Sequence, residues 1–168
     1  MKKNILLLIL VFYYGSLKSQ SNIYVGTARF NASYTWTFTI NGGWIQGDGL
    51  VTFGKRNGGG MLLISVKDFD GDIKGDLFIY LKDGNAIRCI DRNIKDNVDH
   101  YTMAVYYLTN SEVELLKNSD IEDIRFSLYK YVFGSKSYTM SNQFTFYGDR
   151  YNTQSNPTAI DVHILMNK

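Results

Sequence analysis

Tyr34-Thr-Trp-Thr-Phe-Thr-Ile-Asn-Gly-Gly-Trp-Ile-Gln46 is the stretch that decides the fold class. Trp36, Phe38 and Ile40 alternate with Thr35, Thr37 and Thr39, the period of two expected of a strand with one buried face. Asn41-Gly42 is the preferred pair for a two-residue hairpin, because both residue types tolerate the left-handed backbone of a type I′ turn. With those two as the loop, Ile40 faces Gly43, Thr39 faces Trp44, Phe38 faces Ile45 and Thr37 faces Gln46. Trp36, Phe38, Ile40 and Ile45 then share the apolar face. Trp44 joins Thr37, Thr39 and Gln46 on the other.

The same signature recurs along the chain. Short runs rich in Thr, Tyr, Phe, Val and Ile lie between Gly, Asn and Asp clusters. Strands are expected near residues 23–30, 34–40, 43–46, 50–54, 61–67, 76–82, 86–91, 101–108, 124–131, 143–147 and 159–166. Asp83-Gly84 closes a second hairpin that pairs Phe78 with Cys89 and Asp76 with Asp91. Both of its faces are apolar, so it is expected to sit centrally, covered on both sides. Thr109-x-x-Glu112 and Ser111-x-x-Glu114 are overlapping capping boxes that start a helix at about residues 110–118, with Val113 and Leu116 turned inward. No repeat of fixed period is present, which argues against a propeller or solenoid. The expected fold is mainly β: an antiparallel sandwich- or barrel-like single domain with one short α-helix.

The N-terminus reads as a leader. Lys2 and Lys3 precede an apolar run from Ile5 to Tyr14, about ten residues, the length of a signal-peptide core. A membrane-spanning helix needs about twenty apolar residues, and Gly15, Ser16 and Lys18 interrupt too early. Ser19 and Ser21 suit a cut before Asn22, and a cut after Ser19 also fits. The chain therefore divides into a signal peptide, 1–21, and a mainly-β extracytoplasmic domain, 22–168. No cysteine follows the apolar run, so the lipoprotein route is closed. The lysine-rich start and serine-rich cleavage region are bacterial in style. The expected location is periplasmic or secreted, with no membrane span after signal cleavage.

Charge and cysteine content narrow the function classes. The chain carries 18 basic and 16 acidic residues. Loss of Lys2, Lys3 and Lys18 leaves 15 basic against 16 acidic, a net charge of −1. Such a domain offers no electrostatic case for nucleic acid. Cys89 is the single cysteine and cannot form an intrachain disulfide; alternation points it inward with Ile87 as an inert thiol. High aromatic content and a single proline mark a folded chain rather than a disordered one.

No catalytic residue is assigned. His100 and His163 each have a neighbouring carboxylate, Asp99 and Asp161, but neither H-E-x-x-H nor G-x-S-x-G is present. Ser127-Leu-Tyr-Lys130 matches S-x-x-K only by composition, since it lies in a strand pattern and no K-T-G follows. Gly54-Lys-Arg-Asn-Gly-Gly-Gly60 has its glycines in the wrong order for a phosphate loop.

Asp68, Asp70 and Asp72 alternate as in the first half of an EF-hand loop. Ile73, however, stands where glycine belongs, and Ile79 where the bidentate glutamate belongs. Asp76 and Asp91 face each other in the expected register, an unfavourable pair that Arg92, Lys74 or a calcium ion would neutralise. Asp68, Asp70, Asp72, Asp76 and Asp91 are thus candidate calcium ligands, and ordinary turn chemistry is the plainer account. No other cofactor is implied.

Trp44, Thr37, Thr39 and Gln46 form the candidate ligand face. An exposed tryptophan there is a stacking platform for a sugar or an anchor for a protein partner; a buried Trp44 is the alternative. The expected function is a non-enzymatic exported domain binding a glycan or protein ligand. One rival is a small hydrolase with a dispersed site drawing on His163, Asp161 or His100. The other is a secreted enzyme inhibitor presenting the 41–49 or 54–60 turn.

Overall fold

The computed structural model describes residues 21–41, 47–145 and 153–168. The predicted signal segment before Ser21, the predicted strand at 43–46, and both Trp44 and Gln46 lie outside them. In chain order the elements are β1 (Ser21–Val25), β2 (Ala28–Ala32), β3 (Trp36–Asn41), β4 (Gly47–Arg56), β5 (Gly59–Lys67), β6 (Asp72–Ile73), β7 (Leu77–Leu81), β8 (Ala86–Cys89), β9 (Lys95–Val98), β10 (Tyr101–Leu108), α1 (Asn110–Asn118), β11 (Ile121–Lys130), β12 (Gly134–Ser141), β13 (Phe144–Thr145), β14 (Thr153–Gln154) and α2 (Thr158–Met166).

Twelve of the strands form one sheet, ordered β8-β7-β11-β12-β3-β4-β5-β10-β9. Every pairing in it is antiparallel. The β1–β2 hairpin joins at Ala32 opposite Gly54 of β4, and β6 joins β11. The sheet curls into a half-barrel. Tyr106 of β10 donates its hydroxyl to the Gly75 carbonyl at 2.9 Å, and Thr102 donates to the Phe69 carbonyl at 2.8 Å. These bonds bring β10 against the segment that feeds β6 and β7, several strands away along the sheet path.

Curling encloses the apolar residues that alternation assigned to one face. Trp36, Phe38, Ile40, Val51, Phe53, Leu62, Ile64, Leu77, Ile79, Ile124, Phe126 and Leu128 are each at most 2% exposed and belong to one cluster. Val113 and Leu116 of α1, with Val162 and Leu165 of α2, join the same cluster. A second, smaller cluster lies on the opposite face, where Ile23 and Ala32 of the β1–β2 hairpin meet Met61 and Val105. The mainly-β antiparallel architecture and the helix at 110–118 agree with expectation. Thr109 accepts the Glu112 N–H at 3.3 Å and returns its own N–H to the Glu112 carboxylate at 2.7 Å, closing the capping box.

Three expectations are corrected. The first hairpin pairs Ile40 with Gly47 and Thr39 with Asp48, not with Gly43 and Trp44. The loop is four residues longer than an Asn41-Gly42 turn, and because the shift is even, Thr37 and Thr39 keep their outward face. The second hairpin is displaced by one. Gly84, at φ +88°, closes a three-residue loop in which Leu81 N–H donates to the Asn85 carbonyl at 2.9 Å. A left-handed glycine is what that loop type requires. Cys89 therefore faces Leu77 and Phe78 faces Arg88. Cys89 is still buried, and burial pushes its thiol up to about 12. The ribbon is not central, because β8 is a sheet edge; β4 and β5 are the strands covered on both faces.

The third correction concerns residues 159–166, expected as a strand and found within α2. Its buried residues, Thr158, Val162 and Leu165, follow helical spacing, and a short apolar run fits either period. The helix has no local side-chain cap at Pro157. Instead Asp120 accepts the Ala159 N–H at 2.9 Å, and at the other end Lys55 donates to the Met166 carbonyl at 3.1 Å. An anion at the start and a cation at the end both complement the helix dipole. Midway, the buried Trp36 indole N–H donates to Asp161 Oδ2 at 2.9 Å. Asp161→Ala leaves that donor without its acceptor, and a loss of about 1–3 kcal/mol in urea-unfolding free energy is expected. A variant as stable as the parent would show that α2 is not held this way.

Candidate functional site

Antiparallel register lays the outward side chains of β3, β12, β11, β7 and β8 in rows. One row reads Thr39, Ser141, Asp123, Tyr80, Ala86; the next reads Thr139, Arg125, Phe78, Arg88. Ser137 and Ser127 continue the pattern, their hydroxyls 3.4 Å apart. The Arg125 guanidinium lies 4.7 Å from the Phe78 ring centroid and 6.0 Å from that of Tyr80. No carboxylate among the described residues comes within 4.0 Å of Arg125, so its fork of donors is turned to solvent from an aromatic base.

Two depressions flank this arginine. One, about 270 Å³, is lined by Asp76, Phe78, Arg125, Phe126, Ser127 and Ser137. The other, about 360 Å³, is lined by Lys82, Glu122, Asp123, Ser141, Asn142, Gln143, Thr153, Gln154 and Ser155. A register shift between Ile121 and Asp123 marks a bulge in β11 that turns Glu122 and Asp123 both outward. Ser141 holds the Asp123 carboxylate at 2.5 Å. A third depression, about 340 Å³, runs between β1 and the β9–β10 pair, with Ile23, Thr52, Leu63, Met103 and Val105 among its walls.

The structure distributes the predicted site residues unevenly. Thr37 and Thr39 are half-buried on the outward face, and Thr39 donates to the Gln143 carbonyl at 2.5 Å. Of the five aspartates proposed for calcium, Asp76 and Asp91 are committed to other partners. Asp76 accepts two nitrogens of Arg88, at 2.6 and 2.8 Å, and the Asp91 N–H at 2.9 Å. Asp91 accepts the Gly75 N–H at 2.7 Å and pairs with Lys95 at 3.4 Å. With the hairpin displaced by one, Asp76 and Asp91 are neighbours and not the directly opposed pair expected, and Arg88, Lys95 and backbone donors take the roles expected of Lys74, Arg92 or a calcium ion. Asp70 is fully exposed, 4.0 Å from Lys130. Among the described residues, no three His, Cys, Asp or Glu side chains gather where they could hold a metal ion.

His100 lies in the Asp99-His100 turn between β9 and β10, both residues at positive φ. His163 is on the exposed side of α2, and Asp161 is committed to Trp36. Neither histidine lines the three depressions. The 54–60 segment is a tight turn at Asn57-Gly58, with Arg56 paired to Gly59. Sequence reasoning missed Arg125. Its outward direction is implied once Ile124, Phe126 and Leu128 point inward, but its seat on Phe78 depends on a β7–β11 pairing that no local pattern encodes.

The Asp91 N–H and the Arg88 guanidinium hold the Asp76 carboxyl below its ordinary pKa. A carboxylate whose folded pKa is depressed stabilises the fold above about pH 4 and loses that contribution as pH falls through the folded value. Asp76→Asn is therefore expected to lower the urea midpoint at neutral pH, with the gap to the parent closing at about pH 2. A gap that is constant with pH would remove Asp76 from the acid response. The chain matches no family model, no curated protein and no solved structure.

Proposed function

We propose that this protein is an exported, non-catalytic recognition domain that binds an anionic glycan on the outward face of β3, β12, β11 and β7. The observation that carries this reading is Arg125, seated on Phe78 and Tyr80 with its hydrogen-bond donors unspent. A guanidinium fork matches carboxylate or sulfate groups in two-point geometry. Aromatic edges and the hydroxyls of Ser127, Ser137 and Thr139 suit the ring faces and hydroxyls of a sugar. Trp44 and Gln46 stay within the proposal as contributors from the β3–β4 connection. The position of both histidines away from the depressions favours binding over hydrolysis. A protein ligand is the second reading, and an array holding both ligand types separates the two.

Export is part of the proposal. Ser21 pairs with Ala32 in β1–β2, so a cut after Ser19 keeps the whole hairpin, whereas a cut before Asn22 removes its first pair. Mass spectrometry of the protein from its native host is expected to show an N-terminus between Ser19 and Asn22. An intact Met1 in membrane fractions would refute export.

On a glycan array, binding is expected to concentrate on uronic-acid or sulfated sugars. Arg125→Ala should weaken it by about 1.5–3 kcal/mol, roughly tenfold to a hundredfold, as loss of a charged hydrogen bond does. Trp44→Ala should weaken the same interaction. Folding stability should hardly change, because the Arg125 side chain is exposed and supports no buried group. Equal affinity of parent and Arg125→Ala would move the site elsewhere.

A further inference from the structure

Tyr131, Val132 and Phe133, exposed by 91%, 78% and 65%, cap the β11–β12 hairpin with three consecutive apolar side chains. The apex is well defined. Lys130 pairs with Gly134, Phe133 N–H donates to the Lys130 carbonyl at 3.0 Å, and Gly134 sits at φ +72°. That is a three-residue hairpin closed by a left-handed glycine.

Among the described residues, β3 pairs with β12 at Thr139–Ser141 and β6 with β11 at Leu128 and Tyr129, both short of this exposed apex. None of the three apex residues belongs to either buried cluster. Apolar surface kept in water without a share in the core marks an interaction site.

Charge indicates the partner. Residues 124–140 contain Arg125, Lys130 and Lys136 and no carboxylate. Lys74 adds a cation at the base, its Nζ 4.4 Å from the Tyr129 ring centroid. Asp70 and Asp72 lie on the neighbouring loop, with Asp70 4.0 Å from Lys130. An apolar apex, tyrosines at its shoulders and lysines below reproduce the layering of a bilayer from hydrocarbon through interface to phosphate. A convex apex suits a medium that yields around it. Lysines near an anionic surface add attraction that salt screens.

We infer that the 131–133 apex inserts into the interfacial layer of a bilayer with anionic headgroups, holding the domain peripherally with Lys130 and Lys136 at the phosphates. This stands apart from the glycan reading, since it uses the hairpin end and not Arg125.

The test places an environment-sensitive fluorophore at the apex of the full chain through Val132→Cys. Native Cys89 is buried and leaves the label to the new site. The probe reports only its own surroundings, so the apolar 5–14 segment does not contribute to the signal. With vesicles of equimolar phosphatidylcholine and phosphatidylglycerol, emission is expected to rise and shift to the blue. Phosphatidylcholine alone should require at least about tenfold more lipid, as should Lys130→Ala combined with Lys136→Ala. An unchanged spectrum with both vesicle types overturns the inference, and so does equal affinity for the two. A lipid-independent shift that grows with protein concentration, with a dimer in sedimentation velocity, would assign the apex to a second copy and overturn it as well.

Discussion

A sheet with one apolar face must hide that face, and the second sheet among the described residues, the two-stranded β13–β14 pair, is too small to cover it. The large sheet therefore curls until β10 meets the segment leading into β6 and β7, and two helices cover the enclosed side chains. Right-handed strand twist makes such curling natural for an antiparallel path of this length. Trp36, Phe38, Phe53 and Phe126 all lie inside the curl. The Trp36–Asp161 hydrogen bond fastens α2 over them and satisfies the indole donor.

Curling leaves an outer face with two characters. Under the β1–β2 hairpin it is apolar, and β4 and β5 become strands buried on both sides. Gly54 belongs to that arrangement, since a Cβ there would press within 2.8 Å of Met61 and 3.1 Å of Ile23. Beyond β3 the described residues of the outer face are Thr, Ser, Arg and Asp with two half-buried aromatics. The free edges are short and polar: β8 carries Arg88, and β9 reads Lys-Asp-Asn-Val. Short, charged edges discourage edge-to-edge association.

Electrostatics follow the same division. Carboxylates near one another are each given a local donor, as Asp76 has Arg88 and Asp91 has Lys95. Asp120 is used twice, at the start of α2 and toward Lys82. Among the described residues Arg125 has no acid within 4.0 Å, which leaves its guanidinium open above Phe78 and Tyr80. The hairpin apex, exposed and outside both buried clusters, is the other such surface, and its chemistry is apolar.

Period-two alternation is written into the residues themselves, so the sequence alone determined which side chains face in: Trp36, Phe38 and Ile40 against Thr37 and Thr39, and Ile87 with Cys89. The Thr109–Glu112 capping box, complete within four residues, likewise located α1. Register was another matter. An Asn-Gly or Asp-Gly pair favours a turn without dictating its length, and the first loop is four residues longer than expected while the second is one longer, exchanging Phe78 for Leu77 opposite Cys89. Residues 158–166 are helical because Asp120, Trp36 and Lys55 hold both ends and the middle, and those partners lie 38 or more positions away. Arg125 meets Phe78 only through the β7–β11 ladder. Facing is a property of neighbours along the chain, whereas register, helix docking and the placement of Arg125 depend on closing long loops, and only the curled sheet decides those.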